Sequence, residues 1–464
     1  MRYLLITSLC FFTSILASAQ DSPQDSLVPQ SYSFSLEEAL VYGMENNYTV
    51  RNAATDITIA LKQKWEIIAQ GLPQIGGEVT YQNQLIQPVS FIPAVFFDPE
   101  APAGDFIPVQ FSPKQNVSAL ATWNQLIFDG SYFVGIQSAR TLLQISENAK
   151  VKTDLEIKEA ITSAYSNVLL AQESLAILQE NLKTVKKNLD DTKQIFENGM
   201  TEEEDVEQLG ITYLDLETDL NNTLRQLAIA YDMLKLTLGM PLETKLAITD
   251  DLDQLSMQYY DLELLKREIP LEENIDYRIS QDQANLAEVE VKLEKSKALP
   301  RLSAFVNYGA NASSNSFTFL NEEQRYFEQS ILGFNLNIPI LSSGMRGART
   351  AQKELAYQQR LVDLEETGNQ VKLDIASARN DYQFSLDNLT TQEKNLDLAQ
   401  RIEKKNQTKF FEGIATSFEL SEAQQQLFQA QQNYLQAMLE VITNKAALEK
   451  VLDTRKYQPK EQKN

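Results

Sequence analysis

The side chains that most often perform catalysis are scarce in this chain of 464 residues. It has no histidine, and its one cysteine, Cys10, lies in the apolar stretch at the N-terminus. Acidic clusters at residues 202–205 and 250–253 could bind a cation, but they equally fit solvated faces or the charge favoured at a helix N-terminus. No phosphate-cradling glycine loop accompanies them. We therefore predict that the protein is not an enzyme and has no catalytic residue, cofactor or metal site.

Acidic side chains outnumber basic ones by 64 to 41, which gives a formal net charge of −23. A nucleic-acid partner would require basic patches that neutralise phosphate, so the charge argues against one. The excess fits either the solvated surface of an exported protein or a lumen that attracts cations.

The first twenty residues have the pattern of a secretory signal peptide. Arg2 precedes an apolar run at residues 4–16, and small residues at 17–19 form a cleavage site. A retained membrane anchor is the alternative, but the run is short for a spanning helix. No later run of 18 apolar residues follows, so a mature protein that spans a membrane would do so with strands.

The rest of the chain must therefore be explained by its helices, and two of them are long. From Ile157 to Phe196, apolar residues recur in alternating steps of four and three, which is typical of a helix that supercoils against its neighbours. The proline-free stretch 130–199 that contains this pattern predicts a rod of roughly 100 Å. A similar stretch recurs at 344–413, with more polar residues in its apolar seam.

Shorter helices flank each long one, and this arrangement predicts two structural repeats. Return helices are expected at 202–238 and 417–453, and shorter helices at 36–70, with a possible break at 43–47, and at 275–299. Two short helices stacked end to end would match one long helix in length. The predicted division is signal peptide 1–20, first repeat 21–248, acidic connector 249–273, second repeat 274–453 and polar tail 454–464.

Period-two alternation of apolar and polar residues predicts four strands, near residues 75–82, 117–124, 302–308 and 332–338. The loop between the first pair, 88–113, is dense in proline and phenylalanine, and the loop at 311–329 is polar. A half-buried soluble sheet would show the same alternation, but the lengths suit strands that span a membrane. Tyr81, Trp123 and Tyr308 suit an interfacial aromatic girdle, or simple packing. Four strands cannot close a barrel, so closure needs several copies of the chain.

With these elements in this order, the chain resembles the TolC family of bacterial outer-membrane efflux proteins. The segments that carry the resemblance are LEEAL at 36–40, GLPQ at 71–74, ALPR at 298–301, WNQLIFDG at 123–130, LGMP at 238–241 and IPILSSGMR at 338–346. The resemblance implies a homotrimer with a twelve-stranded outer-membrane β-barrel, four strands from each copy, above a periplasmic α-helical coiled-coil barrel. It implies a passive exit duct of a tripartite efflux or type I secretion system. The implied partners are outer-membrane lipid, a periplasmic adaptor protein and an inner-membrane pump.

The resemblance also assigns site residues at the turns between the long and return helices, which would form the periplasmic tip. The implied adaptor contacts are Gly199, Met200, Thr201, Gly413, Ile414, Ala415 and Thr416. A purely structural turn is the alternative. Glu419 and Glu422 would form a ring of carboxylates that gates the pore, or they are simply solvated side chains.

A polar lock closes the gate in the family, and this chain departs from it. Asp205 occupies the acidic position, but Phe410 replaces the expected tyrosine and Ala415 the expected arginine. We therefore expect a gate that is closed more weakly or by other contacts. The main alternative to a channel is a coiled-coil envelope scaffold or a periplasmic adaptor, although an adaptor usually carries one helical hairpin and no paired strands.

Overall fold

The computed structural model describes residues 31–458. The predicted signal peptide, residues 21–30 and the end of the predicted polar tail lie outside the described residues. The helices are α1 (Leu36–Asn46), α2 (Tyr48–Ala69), α3 (Gly130–Glu197), α4 (Glu203–Leu238), α5 (Leu252–Gln258), α6 (Ile275–Ser296), α7 (Met345–Phe411) and α8 (Ser417–Val451). The strands are β1 (Ser31–Phe34), β2 (Gln74–Asn83), β3 (Ser90–Pro93), β4 (Phe106–Val109), β5 (Gln115–Asp129), β6 (Lys245–Ile248), β7 (Arg301–Ser314) and β8 (Phe327–Asn337).

The two long helices and their shorter neighbours are confirmed. Helices α2 and α4 both pack along α3, and α6 and α8 both pack along α7. A single residue, Asn47, separates α1 from α2, within the interval where the sequence predicts a break. A capping box begins α1, with Ser35 and Glu38 accepting each other's backbone N–H groups.

Two buried asparagines join the short helices end to end. The side-chain oxygen of Asn47 accepts the N–H groups of the first turn of α2, while its Nδ2 donates to the carbonyl of Thr237, near the end of α4, at 2.6 Å. Asn274 does the same for α6, and its Nδ2 donates to the carbonyl of Val451, the last residue of α8, at 3.1 Å. Each asparagine therefore serves two helix termini, which otherwise leave backbone groups without partners.

The Asn47→Asp variant separates these two functions. Aspartate keeps the acceptor that caps α2, but it loses the donor and places a second oxygen against the carbonyl of Thr237. Because Asn47 is buried, we expect the free energy of unfolding to fall by about 1–3 kcal/mol. Urea unfolding followed by circular dichroism measures this, with the exposed Asn221→Asp as control. An equal effect of the two substitutions would contradict the role of Asn47.

Strand pairing and tyrosine hydrogen bonds fix the acidic connector and the segments that lie next to it. Strand β1 pairs in parallel with β6, so residues 31–34 form a strand directly before α1. The sequence analysis missed both strands because each has only four residues. Two buried tyrosines secure the connector: Tyr165 of α3 donates to the carbonyl of Phe34, and Tyr382 of α7 donates to that of Tyr259. Asp250 accepts the N–H of Leu36 at 2.7 Å, which agrees with a helix N-terminal charge.

The largest apolar core lies beside this connector. It joins α1, α3, α4 and α8, and its fully buried members include Ile161, Leu238 and Ile442. A second core, around Tyr382 and Leu448, joins α7 and α8 to the connector. The two cores therefore lie near the middle of the long helices α3 and α7 and near the C-terminal ends of α4 and α8.

Four antiparallel strands form one sheet in the order β2-β5-β7-β8. The four predicted strands are confirmed, although β5 and β7 extend several residues beyond their predicted ends. Two expectations about the loops need correction. The loop predicted at 311–329 spans only 315–326, and the loop between β2 and β5 contains the short hairpin β3–β4.

Candidate functional site

The sheet has one mainly apolar face, and the strand register shows which residues share it. Ile75, Trp123, Val306 and Leu332 are directly opposite one another across the four strands. One residue further along, Gly76, Thr122, Asn307 and Ile331 share the other face. Tyr81 and Tyr308 lie on the same face as Trp123, because successive side chains alternate across a strand.

Both edges of this sheet are open. Strand β2 pairs only with β5, and β8 pairs only with β7, among the described strands. An open edge presents a row of backbone N–H and C=O groups that need partners. Each edge of the sheet can therefore pair with a further strand.

The helices form a layer, and the two edges of this layer lie on the same sides of the protomer as the two open edges of the sheet. In the half that contains the turns at Gly199 and Gly413, α4 packs on α3, α3 on α8, and α8 on α7. In the half nearer the sheet, α2 packs on α3, α3 on α6, and α6 on α7. Helices α2 and α4 thus form one edge, on the side of β2, and α7 forms the other, on the side of β8.

Helix α7 carries an exposed apolar stripe on the face directed away from its own core. At about 100° per residue, the stripe residues fall within roughly 40° of one line, and the buried residues Val371 and Tyr382 lie on the opposite side. The stripe consists of Leu355, Val362, Leu373, Phe384, Leu398 and Ile402. The opposite edge has a comparable stripe on α4, formed by Ile211, Leu214, Ile229, Met233 and Leu236. Both edges of the layer therefore expose apolar surface.

The two helical hairpins turn at the predicted glycines. Gly199 has φ +70° and Gly413 has φ +72°, in the left-handed region that glycine enters at little cost. Met200 and Ile414, the residues that follow, are each 71% exposed. Each turn therefore exposes the apolar side chain that directly follows its glycine.

Asp205 connects the two hairpins at the tip. Its carboxylate accepts the backbone N–H of Ser417, at the start of α8, at 3.3 Å, and also the hydroxyl of Thr201. Burial alone would raise the pKa of Asp205, but the hydrogen bonds from Ser417 and Thr201 outweigh it and leave the pKa below its usual value. The ionised carboxylate is thus the form that joins the hairpins.

This lowered pKa predicts that the tip loosens in acid. A carboxylate with a depressed pKa stabilises the folded form above its ordinary pKa and loses that contribution as the pH falls through the lowered value. Distances between spin labels at Glu197→Cys and Glu412→Cys in a Cys10→Ser background should broaden below about pH 4. Asp205→Asn should broaden them already at pH 7, whereas Glu204→Gln, in the same turn, should not. A narrow distribution in Asp205→Asn would contradict the prediction.

Phe410 lies in an apolar cluster at the tip that includes residues from all four neighbouring helices. Leu189, Leu209 and Leu420 form its buried centre, and Val206 and Phe410 pack against it. The residue that departs from the family's polar lock therefore makes an apolar contact between the two hairpins. That this contact contributes to gating remains a prediction.

Glu419 and Glu422 are both exposed in the protomer, while Leu420 and Ser421 between them are buried. Glu419 has a structural function as well: with Thr416 it forms a capping box at the start of α8, and its Oε2 accepts the N–H of Thr416 at 2.9 Å. Substitution of Glu419 by alanine would therefore remove a helix cap together with a charge.

Buried polar pairs between the hairpins were missed by the sequence analysis. The hydroxyls of Thr212 and Ser421 are 2.6 Å apart, and Asn181 donates to Gln431 at 2.8 Å. Burial raises the pKa of Glu403, on the seam of α7. Glu403 is one of the polar residues in the seam of 344–413, whereas the paired residues lie beside the seams, where a polar side chain gives no signal.

Among residues 31–458, no helix combines the length and apolar character needed to cross a membrane. Comparison with known protein families identifies residues 270–454 as an outer membrane efflux protein domain. This match lies in the second half of the chain. The resemblance to the TolC family stated from the sequence is confirmed.

Relatives and solved structures agree with this assignment. The chain is 25% identical over 350 residues to outer membrane protein TolC of Vibrio cholerae, covering 74% of this chain and 78% of the relative. It is 24% identical over 182 residues to alkaline protease secretion protein AprF of Pseudomonas aeruginosa, covering 39% and 37%. The crystal structure of CusC, 18% identical, has a similar fold with a TM-score of 0.71 and covers 90% of this chain and 92% of that one. The predicted location, the outer membrane with a periplasmic extension, is confirmed, and the named relatives are an outer membrane protein and a secretion protein.

Proposed function

We propose that three copies of the chain assemble into one passive exit duct that crosses the outer membrane and the periplasm. The proposal rests on one observation: the sheet and the helical layer each have two unpartnered edges, and these edges lie on the same two sides of the protomer. The sheet is open at β2 and β8, and the helical layer exposes apolar stripes on the same sides, at α4 and α7. Contact between the two different edges of successive copies would close a ring.

The number of copies comes from the family resemblance. Three copies give twelve strands, an even number within the range of outer-membrane barrels. The mainly apolar face, with Ile75, Trp123 and Leu332, would contact lipid, and the face with Thr122 and Asn307 would line the lumen. The long helices, roughly 100 Å each, would continue this lumen through the periplasm.

We further propose that the energy for transport comes from partner proteins. A periplasmic adaptor would contact the tips at Met200 and Ile414, whose exposed apolar side chains suit a protein contact. An inner-membrane pump would select the cargo and drive a tripartite efflux or type I secretion system.

Native mass spectrometry of the detergent-extracted protein tests the assembly. We expect a complex of three copies that resists dissociation by mild denaturants. A monodisperse monomer with intact helices would contradict the duct and favour the scaffold or adaptor.

A further inference from the structure

The loop between β2 and β5 carries an unusually apolar hairpin with no explained contact. Ile86 and Phe96 are 91% and 76% exposed, and other exposed apolar members of the loop are Leu85, Phe91, Phe97, Phe106 and Phe111. Among the described strands, β3 pairs only with β4. A two-stranded hairpin is marginally stable in water by itself, so this apolar stem needs a further covering surface.

We propose that the stems of three copies, at residues 85–97 and 106–111, pack against one another and close the outer mouth of the barrel. This inference rests on the proposed trimeric duct. The duct would then have a closure at its outer end in addition to the gate at its periplasmic tip.

Position favours other copies of the chain as the covering surface. The hairpin continues from β2, which is an open edge that would pair with a neighbouring copy. The loop begins at Gln84, three residues beyond Tyr81, whose ring lies among other aromatic rings at this end of the sheet. If Tyr81 marks the membrane interface, the stem lies outside the hydrocarbon layer, where lipid tails cannot cover it.

Length and charge agree with this placement. Twelve strands spaced about 4.8 Å apart and tilted by about 40° enclose a barrel of roughly 12 Å radius. The four paired residues of β3 and β4 span roughly 13 Å, which is about the distance from the barrel wall to the axis. The acidic residues of the hairpin, Asp98, Glu100 and Asp105, are confined to its turn and exposed. The apolar stem would pack while the charged turn stays in water.

Cross-linking tests the contact between copies. In a Cys10→Ser background, Phe91→Cys should be joined between copies by a short bismaleimide. Asn321→Cys, in the other outer loop, should not be joined, because that loop lies at the circumference of the proposed barrel. Trimers in which Phe91→Cys is not cross-linked would overturn the proposal.

Labelling of the lumen tests closure. Ser118 lies on the mainly polar face of β5, opposite Thr80. A bulky charged maleimide added to intact cells should label Ser118→Cys at least tenfold faster when Phe91, Phe96 and Phe106 are replaced by serine. Asn321→Cys should be labelled equally fast in both backgrounds.

Equal labelling of Ser118→Cys in the two backgrounds would overturn the closure while leaving the duct in place. Quenching of a fluorophore at Phe91→Cys by nitroxide lipids would also overturn it, because the stem would then lie in lipid. Absence of trimers altogether would instead refute the proposed function.

Discussion

Replacement of Ile229 and Met233 by glutamate should leave the helices folded but prevent assembly. Both side chains lie on the exposed stripe of α4, at the border of the groove between α3 and α4 and outside the buried face of the helix. In the proposed ring each copy would bury two unpaired charges against the next, at a cost of several kcal/mol per interface. We expect the trimer fraction in native mass spectra to fall at least tenfold.

The control is Leu224→Glu. Leu224 is also exposed on α4, but it lies roughly 140° around the helix from Ile211 and Ile229. The same change of apolar side chain to carboxylate should leave the trimer intact there. An intact trimer in the double variant would show that the α4 stripe does not form the interface.

Removal of the charges at Glu419 and Glu422 should abolish the cation preference of the channel. If three copies surround the tip axis, the two positions together supply six carboxylates, and such a ring favours cations. Glutamine is the informative replacement for Glu419, because it can still complete the capping box with Thr416. In Glu419→Gln/Glu422→Gln we expect the cation-to-anion permeability ratio from reversal potentials to fall several-fold toward one.

Two further variants distinguish the charge of Glu419 from its structural function. Glu419→Ala removes both, and it should additionally destabilise the start of α8 by about 1 kcal/mol. Glu412→Gln removes an exposed charge from the adjacent turn and should leave selectivity unchanged. An unchanged permeability ratio in the double glutamine variant would place the selective ring elsewhere.

The sequence was most informative where one pattern extends over many residues. Seams of 3.5-residue period identified α3 and α7, and Gly199 and Gly413 identified their turns with the correct backbone conformation. Alternation identified the four strands of the main sheet. These features depend on local periodicity and on the backbone freedom of glycine, which a single sequence displays directly.

Features that depend on distant partners were not predictable in the same way. Strands β1 and β6 are four residues long and pair across more than 200 positions. The bonds from Asn47 to the carbonyl of Thr237 and from Ser417 to Asp205 also join segments far apart in the chain. The side chains were visible in the sequence, but their partners are determined only by how the helices pack.

The site was predicted in outline rather than in its interactions. The resemblance directed attention to Asp205 and Phe410, but it implied a polar lock that this chain cannot form. The structure gives each residue a different contact, a backbone hydrogen bond for Asp205 and an apolar cluster for Phe410. Their contribution to gating is a proposal that the tip distances described above can test.

The current through the purified protein in a planar bilayer tests the central claim most directly. A trimeric duct should give discrete conductance steps with a reversal potential that indicates cation preference. Purified trimers that insert into the bilayer and pass no current, even in Glu419→Gln/Glu422→Gln, would contradict the channel.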